Sequence, residues 1–320
     1  LALKANTPLI NKEALEELFN EYEKSGDEIS LPNISRKDLQ NGEKTAAMVL
    51  SAKLLRQALT EDETCIFHLN EVVNKAVLNG FRVGPIKTEK KGVFDRIDNN
   101  KSYAKISKEL RKRINKFHME NGVIIENPSN TYIDIDVSIG ENTFIEAGVR
   151  LVGNTTIGKN CHIGFNTKII DSQIYDNVNI DSSYIEKSIV EGYTSIGPYA
   201  RLRPNAHLKE HVHIGNFVEV KNSTLGEGTK AGHLTYVGDA DLGKDINLGC
   251  GVVFVNYDGK FKHRSTIEDG AFIGSNVNIV APVHVKKDGF IAAGSTITSD
   301  VEEGVLVLER AERKDIEGYV

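Results

Sequence analysis

Aliphatic residues recur at every sixth position over two stretches in the C-terminal part of the chain. The first stretch runs from Ile133 to Ile169 and the second from Ile267 to Ile297. This period fits neither the turn of an α-helix nor the alternation of a β-strand. It is typical of a chain wound into a triangular prism, in which each side of a coil directs one aliphatic residue inward. The pattern therefore predicts a hexapeptide-repeat β-helix.

The ladder continues less regularly between these stretches. After a five-residue step, the aliphatic positions resume at Leu225. Glycine often follows the aliphatic residue, as in Ile214-Gly215, and we expect it to relieve crowding where the backbone turns a corner of the prism. The polar segment 256–264 matches no position of the ladder. We expect it to protrude as a loop, and such loops are where solenoid proteins commonly carry their sites.

The region before residue 131 has a different composition and holds only six of the 28 glycines. Its hydrophobic spacing predicts three helices, over 12–25, 45–59 and 68–79. Asn11 is the expected N-cap of the first helix, and Gly80 ends the third. Short strand-like runs such as 81–83 lie between the helices. Helices alternating with short strands indicate an α/β unit.

A basic helix is predicted over 102–120, ended by Gly122. Its charge is interpreted as a solvated face rather than a binding surface, because a connector between two regions needs no further function. The predicted fold class is mixed. It comprises an N-terminal partial α/β domain over 1–101, a connecting helix over 102–122 and a β-helix domain over 123–320.

Composition excludes several classes of protein. The net charge is −6 and the sequence pI is about 5.9, which argues against a nucleic-acid partner. The cysteines are widely spaced without a CxxC motif, so neither a disulfide framework nor structural zinc is expected. No apolar run or signal peptide indicates a membrane partner, and we expect a cytoplasmic protein. The chain begins with Leu1 rather than methionine, which leaves open whether upstream residues are missing.

His233 is the candidate proton acceptor within the repeat. It lies among small and aliphatic residues, and imidazole is the side chain suited to removing a proton near neutral pH. Glu219 precedes it by 14 residues, close to one coil of about 18 residues less the short step. We expect this carboxylate to orient the ring and favour the imidazolium that forms. A purely structural histidine remains the alternative.

Positive charge recurs on neighbouring coils at Arg201, Arg203 and Lys221. On an acidic protein, clustered cations indicate an anionic group such as a phosphate. Surface solubility is the alternative for any one of them. Three nearby histidines also suggest a zinc site: His207, His211 and His213. Because this HxxxHxH run has no supporting carboxylate pattern, no metal is predicted there.

Several longer motifs occur in an order that identifies a family. They are IGPYARLRP (196–204), HIGNFVEVK (213–221), KAGHLTYVGDA (230–240), NYDG (256–259) and IAAGSTIT (291–298). Together they resemble the acetyltransferase half of the bacterial bifunctional enzyme that makes UDP-N-acetylglucosamine. That enzyme pairs a glucosamine-1-phosphate N-acetyltransferase with an N-acetylglucosamine-1-phosphate uridyltransferase. The resemblance covers about residues 102–310.

The resemblance implies a homotrimeric left-handed parallel β-helix that serves nucleotide-sugar and cell-wall synthesis. Its reaction would transfer an acetyl group from acetyl-CoA to the amine of glucosamine-1-phosphate. His233 matches the family's general base and Glu219 the carboxylate beside it. The positions implied to bind the sugar phosphate are Arg203, Lys221, Tyr236 and Asn247. The positions implied to bind acetyl-CoA are Cys250, Asn256, Tyr257, Ser275, Ala293 and Arg310.

Cys250 departs from the family, which has a small residue there, usually alanine. The backbone N–H at this position is a candidate donor to the tetrahedral oxyanion, and a cysteine still supplies it. We expect the thiol to crowd the acetyl group and lower the rate. A catalytic thiol is the less favoured alternative.

The N-terminal region resembles the uridyltransferase half less well. Residues 7–10 resemble the segment after a metal-binding aspartate, but Asn6 holds that position, and a neutral amide binds Mg²⁺ more weakly. Asp98-Asn99 resembles the other metal position. The family's Gly-rich nucleotide loop is expected upstream of Leu1, and the stretch 30–45 is shorter than the family's. We predict a degenerate Mg²⁺ site and no useful uridyltransferase activity, so Mg²⁺ is a cofactor only if that half is active.

Two other interpretations remain. One is another prism acyltransferase that acts on a nucleotide-linked sugar or an amino acid, and the order of the motifs argues against it. The other is a structural or regulatory trimer whose catalysis has decayed. Retention of His233 and Glu219 argues against decay, since nothing in the folding of a prism requires them.

Overall fold

The computed structural model describes residues 1–33, 46–60, 69–89 and 92–318. The chain divides into two compact units, Leu1–Leu110 and Arg111–Val320. The helices are α1 (Lys12–Ser25), α2 (Ala52–Thr60), α3 (Leu69–Leu78) and α4 (Asn100–Glu120). In the described part of the chain, no helix is long and apolar enough to cross a membrane.

The first unit contains a four-stranded sheet with apolar clusters on both of its faces. Its strands are β1 (Ala2–Leu3), β2 (Ile29–Pro32), β3 (Ala47–Leu50) and β4 (Val83–Ile86), in the order β1-β3-β2-β4. Because side chains alternate along a strand, Ala47 and Val49 pack with Leu18 of α1 on one face. Met48 packs with Val73 of α3 on the other.

The sequence predicted most of these elements. Helix α1 is confirmed, with Asn11 Oδ1 accepting a hydrogen bond from the N–H of Ala14 at 3.1 Å. Helices α3 and α4 are confirmed to within two residues; the predicted first residue of α3 at position 68 lies outside the described residues. After α3, Gly80 takes the left-handed φ of 78° that ends a helix. The strand predicted over 81–83 begins instead at Val83.

The predicted helix over 45–59 is wrong over residues 46–51, and its first position, 45, lies outside the described residues. Residues Ala47–Leu50 form strand β3, which pairs antiparallel with β1 on one side and β2 on the other. A short apolar run is compatible with either structure, and here sheet pairing and burial on both faces override helical spacing. Helix α2 begins after Ser51, whose Oγ accepts a hydrogen bond from the N–H of Leu54 at 3.3 Å.

The second unit confirms the left-handed parallel β-helix. Each coil passes in turn through three parallel sheets, called faces 1, 2 and 3. Face 1 has the strands Ile124–Ile125, Phe144–Ile145, His162–Ile163, Asn179–Ile180, Ser195–Ile196, His213–Asn216, Lys230–His233, Asn247–Leu248, Phe272–Ile273, Phe290–Ile291 and Leu306–Val307. Face 2 has Tyr132–Ile133, Arg150–Val152, Lys168–Ile170, Tyr184–Glu186, Arg201–Leu202, Glu219–Lys221, Tyr236–Gly238, Val253–Val255, Asn278–Val280 and Thr296–Ile297. Face 3 has Ser138–Ile139, Thr156–Ile157, Gln173–Ile174, Ile189–Val190, His207–Leu208, Thr224–Leu225, Ala240–Leu242, Ser265–Ile267 and His284–Val285.

The predicted aliphatic ladder fills the interior of the prism. Its members, from Ile133 to Ile297, are buried, apart from Ile139, which is partly buried. In-register pairing of successive coils stacks like residues, as with Ile145, Ile163 and Ile180 on face 1. Each fully buried aliphatic side chain contributes roughly 1.5–3 kcal/mol to folding, so the ladder accounts for the stability of the prism.

The glycines after the ladder residues have a different role from the one expected. A Cβ on Gly215 would collide with the carbonyl group of Gly232 on the next coil. Glycine there permits close approach of two coils. The left-handed corner positions are held mostly by other residues, such as Tyr199, Phe217 and Leu234. The predicted loop over 256–264 joins face 2 to face 3, and its Tyr257 and Phe261 are exposed.

Candidate functional site

The predicted catalytic residues lie on faces 1 and 2 of adjacent coils. On face 1, His233 is the register partner of Asn216 on the preceding coil. On face 2, Glu219 is the register partner of Tyr236 on the following coil. Lys221 follows Glu219 by two residues in the same strand, so both side chains point outward, away from the buried Val220 between them.

The exposed His233 ring is held by an amide that the sequence analysis did not identify. Its Nδ1 lies 2.6 Å from Oδ1 of Asn216. Because an amide oxygen only accepts, Nδ1 carries the hydrogen and donates it. In the neutral ring, Nε2 is then the atom with a free lone pair, which is the form that a general base requires. Register pairing was the missing signal, because Asn216 lies one coil before His233.

We expected the Glu219 carboxylate to orient the His233 ring, but its hydrogen-bonding partner is Arg203. It forms an ion pair with Arg203, with Nη1 2.8 Å from Oε1 and both side chains about one-third exposed (36% and 32%). One bond of this kind uses one of the five N–H donors of a guanidinium. Glu219 therefore orients Arg203, which keeps further donors for an anion.

Lys262, which the sequence analysis also missed, lies against Lys221. The Lys221 ammonium beside Lys262 lowers the pKa of Lys262 from its ordinary value, while the Asp239 carboxylate raises it. Two adjacent ammonium groups repel each other and favour an anion between them. Arg203 and Lys221 are neighbours on consecutive coils, since the N–H of Arg203 donates to the carbonyl of Val220 at 2.8 Å. Because Lys262 belongs to the loop over 256–264, this loop adds a cation to that pair.

Tyr236 and Asn256 are brought together although their predicted ligands differ. The side-chain amide of Asn256 donates to the Tyr236 hydroxyl at 3.4 Å. It also donates to the carboxylate of Asp239 at 2.5 Å. Although it starts the predicted loop, Asn256 is buried. Tyr257, the next residue, is exposed and donates its hydroxyl to the carbonyl of Gly259 at 2.7 Å.

The other positions implied to bind acetyl-CoA form a column on successive coils. Strand pairing on face 1 aligns Ala231, Leu248, Ile273 and Ile291. The residues two positions further along each coil are therefore His233, Cys250, Ser275 and Ala293. Arg310 follows the last strand of face 1, with its Cδ 3.6 Å from where a Cβ on Gly294 would lie. Asn247 lies on face 1 beside Lys230.

The three histidines considered for a zinc site have separate partners. His207 lies 2.7 Å from Glu191, and His213 lies 2.7 Å from Ser195. His211 stacks on Tyr193 with 5.1 Å between ring centroids. Over the residues that the structure describes, no group of three or more metal-binding side chains occurs.

The predicted Mg²⁺ position in the first unit does not fit a divalent cation. The Asp98 carboxylate is neutralised by Arg96, whose Nη2 lies 2.9 Å from both oxygens. The Asn6 amide donates to Asp98 at 3.3 Å and to the carbonyl of Ile97 at 3.1 Å. Its Oδ1 is buried without a partner, which leaves one neutral acceptor where Mg²⁺ favours carboxylates and water.

Comparison with known proteins agrees with this fold. The family described as "Bacterial transferase hexapeptide (six repeats)" matches residues 136–171. Together with the prism, this match defines a hexapeptide-repeat protein.

Relatives named "Bifunctional protein GlmU" give a more specific family assignment than the repeat match does. The Pediococcus pentosaceus protein is 55% identical over 72% of this chain, which spans 49% of that relative. The proteins of Clostridioides difficile and Caldanaerobacter subterraneus are 40% and 37% identical over the whole chain, which spans 77% of each. The chain belongs to the GlmU family, and it spans about half of the first relative's length and about three-quarters of the other two.

Proposed function

We propose that the prism unit transfers the acetyl group of acetyl-CoA to the amine of glucosamine-1-phosphate. The observation that carries this proposal is the His233 ring, exposed and oriented through Nδ1 by Asn216. Membership of the GlmU family and the neighbouring cations support the same assignment. The product is N-acetylglucosamine-1-phosphate, a precursor of UDP-N-acetylglucosamine.

In the proposed mechanism, Nε2 of His233 takes a proton from the ammonium group of the sugar. The amine nitrogen then attacks the thioester carbonyl carbon, and a tetrahedral oxyanion forms. The backbone N–H of Cys250 stabilises that oxyanion. The N–H of the next residue, Gly251, donates to the carbonyl of His233 at 3.4 Å, which holds this stretch of backbone beside His233. Collapse of the intermediate breaks the C–S bond, and the coenzyme A thiolate leaves with the proton from the imidazolium. The former amine nitrogen releases its remaining extra proton to solvent, which leaves a neutral amide. General-base catalysis of this kind contributes roughly 10²–10⁴-fold.

The sugar phosphate binds to the cations on face 2 and in the loop. Arg203 is oriented by Glu219, and Lys221 and Lys262 lie side by side. A phosphate between these lysines removes their mutual repulsion, so binding gains from both attraction and relief of repulsion. Tyr236 and Asn247 contact the sugar. Acetyl-CoA lies along the column of Cys250, Ser275 and Ala293, beside Asn256 and Tyr257, with Arg310 at its far end.

Detection of the product tests the proposal. Wild-type protein incubated with acetyl-CoA and glucosamine-1-phosphate should yield N-acetylglucosamine-1-phosphate, identified by mass spectrometry. Product that forms only from a nucleotide-linked sugar or an amino acid would favour another acyltransferase. No product from any of these acceptors would favour a trimer that has lost catalysis.

We further propose that the first unit has no useful uridyltransferase activity. The Asp98 carboxylate is already paired with Arg96, and Asn6 adds no charge. Incubation with UTP, N-acetylglucosamine-1-phosphate and Mg²⁺ should give no UDP-N-acetylglucosamine. Formation of that product in a Mg²⁺-dependent manner would contradict the proposal.

A homotrimer is proposed from the exposed apolar residues along the corner between faces 1 and 2. Phe165, Tyr199, Phe217 and Leu234 are each at least half exposed. Tyr199 and Phe217 stack with 5.7 Å between ring centroids. Exposed apolar residues that recur along one corner in this way mark an interaction surface. Sedimentation equilibrium should give three times the chain mass, and a monomer would contradict the trimer.

A further inference from the structure

Asp239 is a buried carboxylate at the centre of a polar network beside the proposed site. Only 8% of the residue is exposed. Its backbone is fixed on both sides. The N–H of Asp239 donates to the backbone carbonyl of Lys221 at 3.1 Å, and the carbonyl of Asp239 accepts from the backbone N–H of Ser265 at 3.2 Å. It adopts a left-handed φ of 52°, which aspartate tolerates better than most residues. A buried charge held this firmly needs specific partners.

Two side-chain amides supply those partners. Asn222 donates to one oxygen of Asp239 and Asn256 donates to the other, each at 2.5 Å. Because an ionised carboxylate only accepts hydrogen bonds, it fixes which end of each amide faces it. The NH₂ group of Asn256 must point inward toward Asp239, so its Oδ1 points away.

The Asn256 amide also sets the direction of the Tyr236 hydroxyl. The second hydrogen of the Asn256 amide is donated to that hydroxyl at 3.4 Å, so the hydroxyl accepts from the protein and can donate its own proton to a ligand. Among the hydrogen bonds of the described residues, those of the Asn256 side chain use its nitrogen only, and its Oδ1 is not one of the buried polar atoms without a partner, so this oxygen is accessible. The network therefore presents one acceptor and one donor to a ligand.

Gly238 makes this arrangement possible. A Cβ at that position would lie 2.8 Å from the Asn256 amide nitrogen and would collide with the Tyr236 hydroxyl. Tyr236 and Asn256 can therefore meet only over a residue without a side chain. Gly238 and Asp239 are adjacent in the chain, so one short segment provides both the space and the charge.

We infer that Asp239 is a positioning residue that fixes Asn256 Oδ1 as an acceptor and the Tyr236 hydroxyl as a donor toward the bound ligands. The inference rests on the proposed function. The ligand group that hydrogen-bonds to Asn256 Oδ1 must carry an N–H or O–H. The amino sugar and the amide-containing arm of coenzyme A both provide such a donor. The ligand group that accepts the hydrogen bond from the Tyr236 hydroxyl must be an oxygen.

The test is Asp239→Asn, with binding of glucosamine-1-phosphate and of acetyl-CoA measured separately by calorimetry. The introduced amide can satisfy both neighbours only if Asn222 or Asn256 turns over. A turned Asn256, which accepts a hydrogen bond from the Tyr236 hydroxyl, places an N–H toward the ligand. We expect the Kd of at least one ligand to rise about ten- to one-hundredfold. A higher Kd for glucosamine-1-phosphate identifies the sugar as the ligand that hydrogen-bonds to Asn256. A higher Kd for acetyl-CoA identifies the coenzyme arm as that ligand.

Two further variants separate positioning from folding. Asp245→Asn is the matched control, because Asp245 also has a left-handed φ, 54°, but is exposed; its Kd values should match the wild type. In Asp239→Asn/Asn256→Asp, donor and acceptor are exchanged and an oxygen again points toward the ligand. A carboxylate at position 256 also accepts from the Tyr236 hydroxyl, so this double variant should recover the part of the affinity that depends on the oxygen of residue 256 and not the part that depends on Tyr236.

The outcomes are distinct from those for the proposed function. Unchanged Kd values for both ligands in Asp239→Asn would overturn the inference while leaving acetyl transfer intact. An equal loss in the single and double variants would also overturn it, because a carboxylate at position 239 would then matter only for folding. Ligand binding without turnover in the wild type would contradict acetyl transfer, and a selective loss in Asp239→Asn would still support the positioning role.

Discussion

Asn216 accepts a hydrogen bond from Nδ1 of His233 across two adjacent coils, over a distance of 2.6 Å. The two residues are paired in register on face 1, so the prism itself sets the orientation of the ring. This contact fixes the tautomer in which Nε2 can take up a proton. A base on a single loop would lack this rigid second support.

Asn216→Ala should lower kcat about ten- to one-hundredfold, in the range found when the partner of a functional histidine is removed. The ring would lose its fixed tautomer, while the substrate contacts would remain, so KM for both substrates should change little. Steady-state kinetics measure this split. Asn179→Ala, an exposed residue of the same face, is the control. An unchanged kcat in Asn216→Ala would show that the contact has no role in the reaction.

Lys262→Ala should raise the KM for glucosamine-1-phosphate by about tenfold, because one charge-assisted bond to the phosphate is lost. The KM for acetyl-CoA should stay the same. Lys260→Ala, in the same loop, is the matched control, since its ammonium lies over the Phe261 ring at 5.2 Å. Equal effects of the two substitutions would mean that Lys262 acts only through the general charge of the loop.

Asp258 gives the loop a defined dependence on pH. The hydrogen bond from His263, together with the N–H groups of Phe261 and Lys260, lowers the pKa of Asp258 from 3.8 to about 2. A lowered carboxyl pKa stabilises the folded state above the unfolded value, and this contribution is lost as the pH falls through the folded value. The difference in urea midpoint between wild type and Asp258→Asn should therefore shrink between about pH 4 and pH 2. A difference that stays constant over that range would contradict this.

The sequence predicted the prism because its ladder repeats in one dimension. Each coil places an aliphatic residue at the same point, so spacing alone locates the interior from Ile133 to Ile297. The strand Ala47–Leu50 could not be recognised in this way, because its run of apolar residues fits a helix equally well. Its pairing with two other strands decides the structure, and that pairing involves residues far away in the chain.

The site was predictable only in part. Long motifs identified His233, Arg203 and Lys221, but the partners of these residues depend on which positions coincide on adjacent coils. Asn216 lies one coil away from the ring that it orients, and Lys262 reaches Lys221 only through the conformation of a loop. The contact between Asn216 and His233 follows from the pairing register of adjacent coils, whereas the contact of Lys262 has no signature in residue spacing.

The most direct test of acetyl transfer is the rate at which free thiol is released from acetyl-CoA in the presence of glucosamine-1-phosphate. Wild-type protein should release thiol only when the sugar phosphate is present, and His233→Ala should lower that rate by about 10²–10⁴-fold without changing the assembly state. His211→Ala, an exposed imidazole that stacks on Tyr193, should keep the wild-type rate. Thiol release by His233→Ala at the wild-type rate would contradict the role of His233 as the base.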